Sequence, residues 1–139
     1  VNEKGRAVLA VLALLASVLL ATVLLGGCGS SGSSGAAASG PPTAGPTIVN
    51  GTQVFDVTGT SDLDFVPSTL LAHPGRITVR LHVQPGSATH NFALPMAGAQ
   101  SGFAVPGGVT TVTFTVNSRG TYPFICTIHQ RMRGTLVVS

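Results

Sequence analysis

Hydrophobic and polar positions follow three different rules along the chain. From Ala7 to Leu25 the run is apolar except for Ser17 and Thr22. From Gly29 to Pro46 no aliphatic or aromatic side chain is larger than alanine or proline. From Thr47 onward, apolar and polar residues alternate in short runs. Ile77, Val79, Leu81 and Val83 alternate with Thr78, Arg80, His82 and Gln84, the period of a half-buried strand. Val112, Phe114 and Val116 alternate with Thr111, Thr113 and Thr115 in the same way. Further strands are predicted over Gln53–Thr58, Leu63–Val66, Asn91–Leu94, Tyr122–Cys126 and Thr135–Val138. Turn signals separate them at His73-Pro74-Gly75, Gln84-Pro85-Gly86, Pro106-Gly107-Gly108 and Asn117-Ser118-Arg119-Gly120, where Pro, Gly and Asn favour chain reversal. No stretch shows an apolar helical stripe, and the abundant threonine agrees with β structure. The expectation is an all-β chain folded as a two-sheet β-sandwich.

The apolar opening has the form of an export signal. Lys4 and Arg6 precede the apolar run, and Leu25-Gly26-Gly27-Cys28 follows it. That tetrapeptide resembles a bacterial lipobox, in which the cysteine is lipidated and becomes the mature N-terminus; small residues at the cleavage site are a steric need of signal peptidases. The run is also long enough to span a bilayer as an uncleaved anchor. The expected organisation is a lipoprotein signal over residues 1–27, lipidated Cys28 with a spacer to residue 46, and a domain over residues 47–139. The spacer has little to bury against its ordering entropy, and as an ideal coil it would span about 20–25 Å. Both alternatives hold the domain extracytoplasmically, in a periplasm or at a cell surface, tethered to the membrane.

Length and charge narrow the function classes. The 139 residues allow one ordinary domain. Seven Lys and Arg against four Asp and Glu give a net charge of +3. Between Ala7 and Phe55 there is no charge at all, and two of the basic residues precede that stretch. So thin a basic surplus argues against a nucleic-acid partner. Asp56, Asp62 and Asp64 read as a solvated edge, His73 and His82 as surface histidines, and Met96 as either rim packing or part of a docking patch.

Two places hold chemistry that a plain core does not need: Thr89-His90-Asn91-Phe92, and Cys126-Thr127-Ile128-His129-Gln130-Arg131-Met132-Arg133-Gly134. Cys126, His129 and Met132 are spaced by three on one short loop, and His90 opens a neighbouring strand. Cys126 alone could be a buried small hydrophobe, a disulfide partner of Cys28, or a nucleophile paired with His129. Taken together, one thiolate, two imidazoles and one thioether form the donor set of blue-copper electron-transfer sites. Zinc, the rival metal, rarely takes methionine.

On these residues the chain resembles the cupredoxins, the family of plastocyanin, pseudoazurin, azurin and amicyanin. The resemblance runs from about residue 53 to the C-terminus, through His90-Asn91-Phe92 and the Cys-x-x-His-x-x-Met loop with its following Arg-Gly; the loop is most similar to that of amicyanin. Phe65-x-Pro67 and the turn at Gly75 also resemble the family's early strands. The resemblance implies a Greek-key sandwich holding one type 1 copper, with His90, Cys126 and His129 as equatorial ligands and Met132 as the axial one. It implies that the Asn91 side chain bonds Thr127 and joins the two ligand loops. Ile128 departs from the proline that relatives often place between the Cys and the second His, which bears on reduction potential. The implied function is single-electron transfer between extracytoplasmic redox partners, by a monomer that is not itself an enzyme. A partner docks near His129, where Arg131 and Arg133 favour an acidic or mixed surface and Met96, Ala97 and Phe103 are candidate rim residues. The alternative is copper sequestration or delivery without electron transfer.

Overall fold

The computed structural model describes residues 42–139. The expected signal segment, Cys28 and most of the spacer lie outside the described residues. The strands are β1 (Thr43–Ala44), β2 (Thr47–Val49), β3 (Thr52–Gly59), β4 (Phe65–Val66), β5 (Thr69–Ala72), β6 (Gly75–Val83), β7 (Ala93–Leu94), β8 (Ala99–Gln100), β9 (Val109–Val116), β10 (Gly120–Ile125) and β11 (Arg133–Val138). They form two sheets. One has the order β1-β5-β11-β10-β7-β8; the other has the order β2-β3-β6-β9, with β4 on the edge of β3. The only helical element among the described residues is a 3-10 turn, Pro95–Ala97.

The alternation along β6 is realised as expected. Ile77, Val79, Leu81 and Val83 are buried, while Thr78, Arg80 and His82 face outward. Along β9, Phe114 and Val116 are buried and the threonines at 111, 113 and 115 are exposed. The two inner faces close over Phe55, Phe65, Phe92 and Phe124, all buried. Phe92 lies 4.7 Å from Phe124 by ring centroids, and Phe65 packs edge-on against both at 6.1 and 5.2 Å. Each such ring contributes about 1.5–3 kcal/mol by leaving water. Their positions in the chain matter more than the sum. Phe92 follows His90 by two residues and Phe124 precedes Cys126 by two, so the same aromatic cluster anchors the backbone leading to both candidate metal-binding segments.

Differences from the expected elements have local causes. The spacer was expected to continue to Pro46, yet the carbonyl of Pro42 accepts from the Ser68 and Thr69 amides at 3.0 Å each, and Thr43–Ala44 pairs parallel with β5. Backbone pairing at an open sheet edge needs no large side chain, so composition could not reveal it. The strand expected over Leu63–Val66 shrinks to Phe65–Val66, because Leu63 is left-handed at φ 63° inside a loop closed by Thr60 N–H donating to Asp64 O. The strand expected at Asn91 begins at Ala93, since His90 pairs only with Ala104 in an isolated bridge. His82 is not merely solvated: its Nε2 lies 2.8 Å from Asp56 Oδ1. Exposed His73 places its Nδ1 2.9 Å from the Ser139 carbonyl.

Candidate metal centre

β3, β6 and β10 end, and β11 begins, at one end of the sandwich, and the loops there bring the chemistry together. The backbone of His90 is clamped by Ala104 in both directions, with bonds of 3.0 and 2.8 Å. The segment from Cys126 to Met132 folds back on itself: Cys126 N–H donates to Met132 O at 3.1 Å, and Met132 N–H donates to His129 O at 3.0 Å. Arg133 Nε closes the outside of this loop on Gln130 O at 2.8 Å. Two residues between Cys126 and His129, and two more before Met132, therefore make one compact reversal.

Within it, His90 Nδ1 approaches His129 Nδ1 to 3.2 Å, and Cys126 Sγ lies 3.5 Å from His129 Nδ1. The three donor atoms all lie within 4.8 Å of one another, and no other such group occurs among the described residues. His90, Cys126 and Met132 are buried, while His129 is partly exposed. Cys126 carries a free thiol. Nitrogen and thiolate donors stand about 2.0 and 2.3 Å from a first-row ion such as zinc, so two of them about 120° apart are roughly 3.5 Å from each other. The spacings of 3.2 and 3.5 Å from His129 Nδ1 to the other two donors match that requirement. Burial lowers the pKa of His90 first, and the neighbouring His129 lowers it further, against a smaller opposing effect of the Thr60 carbonyl. A neutral imidazole with a free lone pair is the form a metal binds.

Met132 reaches the same cluster through its contact with Gly59. A Cβ built on Gly59 would lie 2.8 Å from His90 Cδ2 and 3.1 Å from Met132 Cε. The end of β3 is thus a bare backbone wall touching both side chains. Asn91 is fully buried; its Oδ1 accepts from Thr127 N–H at 2.8 Å and from Thr127 Oγ1 at 3.1 Å. That pair ties the His90 strand to the Cys126 loop. The Nδ2 of Asn91 has no partner among the described protein groups. Sequence reasoning did not single out Gly59, Thr60, Ser87 or Ala104. Only the Gln84-Pro85-Gly86 turn signal pointed toward one of them, Ser87.

Comparison with known proteins decides the family. A model of the cupredoxin-like domain matches residues 19–138. The chain belongs to the cupredoxin-like domain family. Its sandwich is similar to auracyanin A, a blue copper protein from the green thermophilic photosynthetic bacterium Chloroflexus aurantiacus. That match has a TM-score of 0.58 at 24% identity, over 64% of this chain and 100% of that one. It is also similar to dithionite-reduced auracyanin from the photosynthetic bacterium Roseiflexus castenholzii, with TM-score 0.54, 21% identity and coverage of 62% and 96%. A third likeness is to the metal-binding domain of the Streptococcus pneumoniae D39 Cu(I)-exporting P-type ATPase CopA, with TM-score 0.57, 14% identity and coverage of 71% and 97%. At these identities the likeness is one of fold. No curated protein matches the chain. The cupredoxin domain and its His-Cys-His-Met cluster fit one type 1 copper site.

Proposed function

We propose that this cupredoxin is a membrane-tethered mononuclear blue-copper protein carrying single electrons between extracytoplasmic redox partners. His90 Nδ1, Cys126 Sγ, His129 Nδ1 and the Met132 thioether would hold the copper, a donor set suited to a one-electron copper couple. The observation that carries the reading is the clustering of one thiolate and two imidazoles within 4.8 Å. Bound copper supplies a one-electron couple. The protein supplies a cage whose shape changes little: the loop bonds of Cys126 and Met132, the Asn91–Thr127 tie and the Phe92–Phe124 anchor all resist rearrangement.

The cage is closed, which favours a carrier over an enzyme. Catalytic metal sites keep an open position for substrate, whereas here three of the four donors are buried and the fourth is partly covered. Electrons would leave by the exposed edge of His129. Ile128 next to it is exposed, as are Phe103 and Val105, which flank Ala104 across the bridge from His90, and Met96 on the 3-10 turn beside β10. Arg131 and Arg133 are exposed on the same loop, and the ion pairs among the described residues involve only Arg80, His82 and Asp56. An apolar rim with unpaired guanidinium groups favours a partner with an acidic or mixed surface.

The tether follows from Lys4, Arg6, the apolar run and Cys28. No helix among the described residues is long and apolar enough to cross a membrane. Pro42 joins the sheet beside Ser68 and Thr69, and Thr69 pairs with Thr135, just past the copper loop; a tether would attach toward that end of the domain. A second reading, copper sequestration or delivery, is favoured by exposed Met96, a soft thioether open to solvent. Stopped-flow mixing of the oxidised, copper-loaded full chain with a reduced one-electron protein of acidic surface separates them. Electron transfer bleaches the chain with copper retained. Slow exchange, with copper passing readily to a Cu(I) acceptor, supports delivery.

A further inference from the structure

His90 has two ring nitrogens, and the structure gives each a different task. Nδ1 faces His129 and Cys126. Nε2 faces away from the cluster, 2.9 Å from Ser87 Oγ and 3.3 Å from the Thr60 carbonyl. A carbonyl can only accept, so Nε2 carries the proton and Nδ1 keeps its lone pair for the metal. Of the two acceptors the Ser87 hydroxyl is the nearer.

Ser87 is brought there by its own turn. Gln84-Pro85-Gly86-Ser87 closes with Ser87 N–H donating to Gln84 O at 3.0 Å, and Gly86 has φ +79°. These are the features of a type II turn, with Pro at its second position and Gly at its third. Gln84 also fastens this turn to the loop after β3. Its N–H donates to Gly59 O at 2.9 Å, and its Oε1 accepts from Ser61 N–H at 3.3 Å. One residue thus aligns the loop carrying the Thr60 carbonyl with the turn carrying the Ser87 hydroxyl. Gly59, lacking a Cβ, lets His90 lie flat against that junction.

We propose that Ser87 is a positioning residue for the copper site: its hydroxyl accepts the His90 Nε2–H bond, sets the tautomer and turn of the ring, and makes the imidazole a stronger donor to the oxidised metal. An acceptor on the remote ring nitrogen raises ligand basicity, and loss of such partners commonly costs 10–100-fold in metal affinity. Cu(II) gains more than Cu(I) from a more basic imidazole, so Ser87 lowers the reduction potential. The proposal rests on His90 binding copper through Nδ1.

The test uses the full chain with Ser87→Ala and Ser87→Thr. In the diamagnetic Cu(I) form and in the metal-free form, proton NMR follows exchange of the His90 Nε2–H with solvent. Ser87→Ala should speed that exchange at least about tenfold and lower the Cu(II)-to-Cu(I) affinity ratio by up to about tenfold, a rise in potential of up to about 59 mV for a one-electron couple. Ser87→Thr, which keeps the hydroxyl, should restore both. Unchanged exchange in Ser87→Ala overturns the proposal, with or without a shift in potential, as does a potential that stays put or falls. Because exchange is also read without metal, failure of copper binding in the unmodified chain remains distinguishable from failure of the Ser87 bond.

Discussion

At the scale of single residues, the site depends on atoms that would be costly to leave unpaired or displaced. Asn91 Oδ1 receives two hydrogen bonds from Thr127, so Asn91→Ala removes a buried side-chain tie between the His90 segment and the Cys126 loop. We expect it to cost about 1–3 kcal/mol in denaturant unfolding and about 10–100-fold in copper affinity by competition titration. Equal affinity in the variant would show that the loops hold their register without it. At Gly59 the expected effect is different: Gly59→Ala pushes a methyl against His90 and Met132. The copper spectrum should change, with a loss of stability beside it, because the clash falls on two buried donor side chains. Met132→Gln should retain copper and shift the potential, as expected of a weak axial donor.

At the scale of elements, Gly134 at the start of β11 is the tightest point. A Cβ there would run into the Phe124 ring and lie 2.6 Å from the Ser68 carbonyl. Gly134→Ala must therefore move either the aromatic cluster or the β5–β11 pairing; overpacking of this kind costs about 1–3 kcal/mol or more. Calorimetry should find a clear drop in melting temperature, and an unchanged one would mean the two sheets yield at no cost. β1 is a second element that can be tested. A chain starting at Thr47 lacks the Pro42 carbonyl and should unfold at lower denaturant than one starting at residue 38. The long strands were legible in the sequence because β6 and β9 bury every second residue. β1, β5 and β8 were not, since two to four residues carry too little periodicity. β2 was not expected either, although the Asn50-Gly51 that joins it to β3, both at positive φ, is the dipeptide favoured in two-residue β-turns. The copper donors stood out because Cys, His and Met are rare in this chain and regularly spaced. The turn before Ser87 was legible, but the roles of Gly59, Thr60 and Ser87 were not, because they arise where β3 and β6 end side by side, a relation no local pattern encodes.

At the scale of the whole molecule, the domain presents one chemically distinct end. The partly exposed His129 imidazole lies there beside exposed Ile128, Arg131 and Arg133. Arg131→Glu with Arg133→Glu should slow electron transfer with an acidic partner at low salt, and the difference should shrink as ionic strength rises through about 0.15 M, where the screening length is about 8 Å. A rate indifferent to both charge and salt would move the docking surface elsewhere. The central claim is that Cys126, His90 and His129 bind one copper with Cys126 as thiolate. Its most direct test is to add Cu(II) to the full chain and record visible and EPR spectra beside those of Cys126→Ser. One equivalent should produce an intense thiolate-to-copper charge-transfer band that the serine variant lacks. Weak absorption alone, the same in Cys126→Ser as in the unmodified chain, would contradict it.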